Sequence, residues 1–116
     1  MRLIDTSVLI DSMRKGIFEK GVISVITLIE ILRGISGEKR ERVKRLIEDA
    51  YDIININNKV ILKYCEIYEI LKRKGGLMSD ADMIIAATAM AHDLVLVTKD
   101  KDFERLVELG LKLELR

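Results

Sequence analysis

The sequence has no proline and no tryptophan, one histidine and one cysteine. Cys65 alone forms no internal disulfide. With His92 as the sole imidazole, no CxxC pair or Cys/His cluster exists to hold zinc or an iron–sulfur group. Such cysteine usage fits a reducing, cytoplasmic setting. A histidine general base would depend on His92, which ends a helix beside Asp93 and reads as a surface group suited to the helix dipole. An excess of charge is also missing: 20 Lys and Arg stand against 19 Asp and Glu, so no global field announces a nucleic acid or a membrane. Long apolar runs are lacking too. The longest, Met83 to Ala91, is about half of the ~20 residues that cross a bilayer. Asp5 falls where a signal peptide needs its apolar stretch, so no membrane partner is expected.

What remains is a chain of 116 residues, 49% hydrophobic and 34% charged, read as one domain over 1–116 with enough apolar surface to fold without staples. Arg2 to Ile4 reads as a strand, followed by a helix through Val8, Leu9, Ile10 and Met13. Val22 to Val25 is a second strand, and a helix opens at Thr27 and stops at Gly34 and Gly37. Val43, Leu46, Ile47 and Ala50 mark one amphipathic helix. Asp52 to Ile56 is a strand candidate. Asn57 or Asn58 then caps a long helix with Val60, Ile61, Tyr64, Ile67, Tyr68 and Leu71 on one side. The helix beginning at Ser79 is apolar nearly all round and is expected at the centre. Leu94 to Val97, Asp100 to Leu109 and Leu111 to Leu115 complete the chain as strand, short helix and strand. The alternation predicts an α/β fold of three layers, α/β/α, with a mostly parallel four- or five-stranded sheet. Ligands of such sheets bind beyond the carboxyl ends of the strands, where strand order reverses.

Two strand ends carry acids, Asp5 and Asp100, and two helices carry Glu30 and Asp82. Taken singly, each has a plain explanation. Thr27-x-x-Glu30 and Ser79-x-x-Asp82 have capping-box spacing, and an Asp after a strand often caps the next helix. Taken together they form a carboxylate set, which suits hard divalent cations such as Mg²⁺ or Mn²⁺. Four such acids without a cation repel one another and raise their own pKa values. One or two bound ions suit phosphodiester hydrolysis.

Four stretches carry a family resemblance: Leu3 to Ile10 around Asp5, Ser24 to Gly34 around Glu30, Asp82 to Ala89, and Leu96 to Phe103 around Asp100. In this order they resemble the blocks of PIN-domain proteins, and the small size most resembles the VapC toxins of toxin–antitoxin pairs. The resemblance implies an endoribonuclease in which Asp5, Glu30, Asp82 and Asp100 hold Mg²⁺ or Mn²⁺ beside the hydroxyls of Thr6, Ser7 and Thr98. Asp80 is the rival for the third acid, and the spacing to Ala86-Ala87 favours Asp82. The resemblance further implies an RNA substrate, a homodimer and a VapB-like antitoxin. Many VapC toxins have an Asn pair after the last-strand Thr, whereas Lys99-Asp100 stands here, as in broader PIN proteins. A PIN nuclease of RNA processing or decay is therefore the alternative, and a non-enzymatic acidic-pocket module fits less well.

Arg33, Lys72, Arg73, Lys74, Lys99 and Lys101 are the candidates for RNA contact. The Lys39 to Arg45 cluster, interleaved with Glu38 and Glu41, reads as a solvated face. Cys65 reads as helix packing.

Overall fold

In the computed structural model, which describes residues 1–116, five strands form one sheet: β1 (Arg2–Ile4), β2 (Val22–Ser24), β3 (Asp52–Ile54), β4 (Val95–Thr98) and β5 (Lys112–Leu115). All neighbouring strands are parallel, in the order β3-β2-β1-β4-β5. The helices are α1 (Thr6–Lys15), α2 (Val25–Arg33), α3 (Gly37–Ala50), α4 (Asn58–Arg73) and α5 (Asp80–Ala91), with a 3₁₀ segment at Lys101–Leu109.

Alternation along the central strands splits the core into two. Leu3, Val22 and Leu96 face α4, α5 and the 3₁₀ segment, while Ile4, Ile23 and Val97 face α1, α2 and α3. Since successive side chains of a strand point to opposite faces, both faces of these strands must be covered. That requirement produces the three layers. The helix expected at the centre is there: α5 buries Met83, Ile85, Ala86, Ala87 and Ala89.

Several boundaries differ from those read in the sequence. The second helix starts at Val25 instead of Thr27, because the Ser24 hydroxyl accepts the Ile26 amide and caps it. Gly34 ends that helix as expected, but Gly37 is the first residue of α3 rather than part of the stop. Leu46 and Ile61, assigned to apolar stripes, are exposed, as is Cys65. The stripes of α3 and α4 are narrower than the spacing suggests: Ile47 in α3 and Val60, Ile67 and Leu71 in α4 are the residues that are buried. No helix is long and apolar enough to cross a membrane.

Going outward from β1 the chain lays down β2 and then β3, and next it returns to place β4 on the other side of β1. Strand order therefore reverses between β1 and β4. Their register pairs Leu3 with Leu96 and Ile4 with Val97, and the Asp5 amide donates to the Val97 carbonyl at 2.9 Å. Asp5 and Thr98 thus emerge side by side at the carboxyl edge of the switch point, where an α/β sheet opens a crevice.

Candidate functional site

Asp5 occupies the N-cap position of α1 yet makes no side-chain cap bond. Its carboxylate is 4% exposed and accepts two hydroxyls on the same oxygen, Oδ2: Thr98 Oγ1 at 2.6 Å and Ser7 Oγ at 2.9 Å. Charge-assisted bonds of this kind compensate the burial of a carboxylate. Oδ1 is left for another partner. Thr98, fully buried, also accepts the Asp100 amide at 3.0 Å, and Ser7 accepts the Lys99 amide at 3.2 Å. The three hydroxyl-bearing residues singled out in the sequence, Thr6, Ser7 and Thr98, all hold acids or the backbone beside them.

Glu30 lies beyond the first turn of α2 and so is no part of a capping box; Ser24 has displaced that explanation. Its Oε1 accepts the Thr6 hydroxyl at 2.8 Å, and Oε2 stands 3.9 Å from the Arg33 guanidinium. Asp100 does cap, since its Oδ1 accepts the Asp102 amide at 2.9 Å. Asp5 and Asp100 each have one oxygen anchored by the protein and one not so held, whereas Glu30 has a partner on both, Thr6 and Arg33.

Asp82 is half-buried at the entrance of α5, its amide donating to the Ser79 hydroxyl at 3.2 Å. Burial pushes its carboxyl above the usual range. The Ser79 hydroxyl opposes this, and the charges of Asp5, Asp100 and Glu30 push it further up. Asp82 therefore lies within reach of the charges of the other three acids. No three of the acids close on a single point as a finished cage. Asp80 turns elsewhere. It accepts the Tyr64 hydroxyl at 2.6 Å, a bond that pushes the Tyr64 pKa up to about 12.

The candidate RNA contacts are scattered. Lys99 pairs with Asp11 at 3.1 Å, and that carboxylate is shared with Lys15 at 3.0 Å. Lys101 is exposed directly after Asp100. Lys72 lies over the Tyr68 ring, 5.8 Å from its centroid, and Lys74 pairs with Glu108 of the 3₁₀ segment. The largest concavity, about 650 Å³, lies beside that pair, and none of the four acids lines it. His92 contacts Asn57 at 3.3 Å and none of the acids. Lys44 pairs with Glu48, and Arg40 donates to the carbonyls of Leu32 and Ile35, as a solvated helix face would. Reading the sequence assigned Thr27 to a cap and missed its contact with Thr6 at 3.0 Å.

The sequence pattern of the PIN domain matches residues 2–109, a span that contains all four acids. The chain belongs to the PIN-domain family. As a PIN domain it is 44% identical over 115 residues to ribonuclease VapC1 of Methanocaldococcus jannaschii, covering 96% of this chain and 85% of that relative. Among solved structures it resembles the DNA-bound VapBC from Salmonella typhimurium, with a TM-score of 0.85 and 23% identity over 97% of this chain and 96% of that one. It also resembles a toxin–antitoxin complex from Klebsiella pneumoniae, with a TM-score of 0.70 and 28% identity over 89% of this chain and 90% of that one. The parallel five-stranded sheet of this PIN domain is the architecture expected from its alternating strands and helices.

Proposed function

We propose that this PIN domain, spanning 1–116, is a metal-dependent endoribonuclease and the toxin of a VapBC-type pair. The observation that carries the reading is the set of four carboxylates about the strand switch point, two of which, Asp5 and Asp100, have one oxygen tethered and one left for a ligand. Ribonucleases named VapC among its relatives give the same direction.

The donor set is one of carboxylate oxygens and hydroxyls, with no imidazole or thiolate, which fits Mg²⁺ or Mn²⁺. Magnesium is usually held by one or two carboxylates and keeps several waters, so an open set of acids meets its demand. Asp5, Glu30, Asp82 and Asp100 would hold the ion. When bound, it would activate a water and neutralise charge on a phosphodiester. The chain's own contribution is placement: Thr98 and Ser7 hold Asp5, Thr6 holds Glu30, and the Asp102 amide holds Asp100. Asp82, with its raised carboxyl, is the acid whose charge a cation relieves most.

The direct test uses a mixed RNA pool, with and without Mg²⁺ or Mn²⁺, beside Asp5→Asn. Cleavage by the parent with either ion, abolished in EDTA and in Asp5→Asn, is the expected result. Equal cleavage by both proteins, or cleavage in EDTA, overturns the reading.

A VapB-like antitoxin is the proposed protein partner, supported by the likeness to VapBC complexes, and the proposed setting is cytoplasmic. A homodimer is proposed through α4, where Ile61 and Leu62 are 47% and 60% exposed next to the stacked rings of Tyr64 and Tyr68. RNA backbone contact is proposed for Arg33, Lys72, Arg73, Lys74, Lys99 and Lys101. Lys101 and Arg73 lead this group, because neither is committed to an ion pair or, like Lys72, to an aromatic ring. Replacing Lys101 and Arg73 by Ala is expected to weaken binding evenly across RNA sequences. It should also make the salt slope shallower by about 0.7 for each phosphate of a single strand that is no longer neutralised. Binding measured between low and moderate salt checks this, and an unchanged slope returns both residues to a solvated role.

A further inference from the structure

Thr27 is a fully buried polar residue that neither the cap of α2 nor the four acids account for. It lies inside α2, where a buried threonine usually returns its hydroxyl hydrogen to the carbonyl of the preceding turn. Thr88 of α5 does so, donating to the Ile84 carbonyl at 2.7 Å. Thr27 makes no such bond: the residue four positions earlier, Ile23, belongs to β2 and is extended, and the Thr27 hydroxyl does not pair with the carbonyl of Ser24 either. The Thr27 oxygen instead stands 3.0 Å from Thr6 Oγ1, which itself stands 2.8 Å from Glu30 Oε1.

The donors can be ordered by counting hydrogens. A hydroxyl has one hydrogen and two lone pairs. Thr6 directs its hydrogen to the carboxylate, the stronger acceptor. Its oxygen is then free to accept, and Thr27 is the donor beside it. Thr27, Thr6 and Glu30 thus form a directed chain that starts in the core, between α2 and α1, and ends on an acid of the site.

We propose that Thr27 is a positioning residue that acts through Thr6 to hold Glu30 in one rotamer. With Oε1 pinned by this chain, Oε2, which otherwise faces only the exposed Arg33 guanidinium at 3.9 Å, is held in place as an oxygen for the cation. The inference rests on the reading of Glu30 as a metal-holding acid. Partners that orient a ligand typically contribute about 10- to 100-fold to metal affinity or activity.

The test compares Thr27→Val, which keeps the shape and removes the hydroxyl, with Thr27→Ser, which keeps the hydroxyl. Mn²⁺ binding to the purified full chain is measured by calorimetry without RNA, and kcat and KM are then measured with RNA. Thr27→Val is expected to weaken Mn²⁺ binding and lower kcat, each by about 10-fold or more, with KM for RNA unchanged. Thr27→Ser is expected to restore both. Thr6→Val should produce the same loss, and the double variant no further loss, because both break one chain. Parental Mn²⁺ affinity in Thr27→Val, a serine variant no better than the valine one, or additive losses would each overturn the inference. If Thr27→Val fails to fold, Thr27→Cys, which keeps the size and replaces the hydroxyl by a weak thiol donor, is compared with Thr27→Ser: the inference stands if the cysteine variant loses Mn²⁺ affinity and the serine variant does not, and falls otherwise. A parent chain that cleaves no RNA with either ion overturns the reading of the site. A parent that cleaves, matched by a folded Thr27→Val variant, overturns the relay alone.

Discussion

Asp82→Asn is expected to melt higher than the parent in the absence of metal and to cleave RNA about 100-fold more slowly or worse. The two effects have one cause. In the folded chain, burial pushes the Asp82 carboxyl up, the Ser79 hydroxyl pulls it back, and Asp5, Asp100 and Glu30 add repulsion. An acid whose folded pKa lies above its unfolded value, near 3.9, weakens the fold once it ionises. The penalty is absent below the unfolded pKa and complete above the folded one. The gain from Asn is therefore full above the folded pKa and fades as pH falls from there toward the unfolded one.

Glu30→Gln behaves alike, because the amide oxygen still accepts from Thr6 while the charge is gone. It should melt no lower than the parent. Added Mg²⁺ or Mn²⁺ stabilises the parent by mass action, about 2.7 kcal/mol at a hundred times the dissociation constant, and stabilises either variant much less. The fall in activity exceeds that of an orienting partner, which is about 10- to 100-fold, because a direct ligand is removed. Scanning calorimetry in EDTA and in metal, beside RNA cleavage, checks the pattern. Variants with full activity and the parental metal-induced shift would refute the assignment.

Thr98→Val is expected to destabilise the chain by about 1.5–3 kcal/mol, the worth of a hydrogen bond to a charged group, and to lower kcat with little change in KM. Valine has the same shape, so the change removes a hydroxyl and leaves no cavity. Asp5 is buried and loses its shorter donor, the Thr98 hydroxyl 2.6 Å from Oδ2. The Asp100 amide loses its acceptor in the same step. One substitution thus loosens two acids that follow adjacent strands. Thr98→Ser keeps both bonds and gives up one buried methyl, at about 1 kcal/mol. Urea unfolding and steady-state kinetics on the pair separate the two contributions, and a valine variant as stable and active as the serine one would count against the role given to Thr98.

Much of this was legible in the residues. The alternation of apolar runs with helical spacing announces a parallel sheet covered on both faces, and Leu3, Ile4, Leu96 and Val97 fill those faces by the two-residue period of a strand. The four acids also stood out in order, as did the three hydroxyl residues beside them. Local patterns carry this information because periodicity and spacing are properties of neighbouring residues.

Capping was where local reading went astray. Thr27-x-x-Glu30 has the spacing of a capping box, but the helix starts at Ser24, which frees Thr27 and Glu30 for a contact with Thr6. Asp5 stands where a cap would stand, and its carboxylate is taken by Thr98, 93 positions away. Asp80 is a rival to Asp82 that spacing disfavours; Tyr64 occupies the first, and burial, with the charges of the other three acids, raises the second. From its residues alone this chain determined its layers, its central helix and its acids, because those depend on burial and on local spacing. Only the tertiary structure decided that Thr98 tethers one oxygen of Asp5 and Thr6 one oxygen of Glu30, because these hydroxyls lie on other elements and the β1–β4 register places Asp5 beside Thr98.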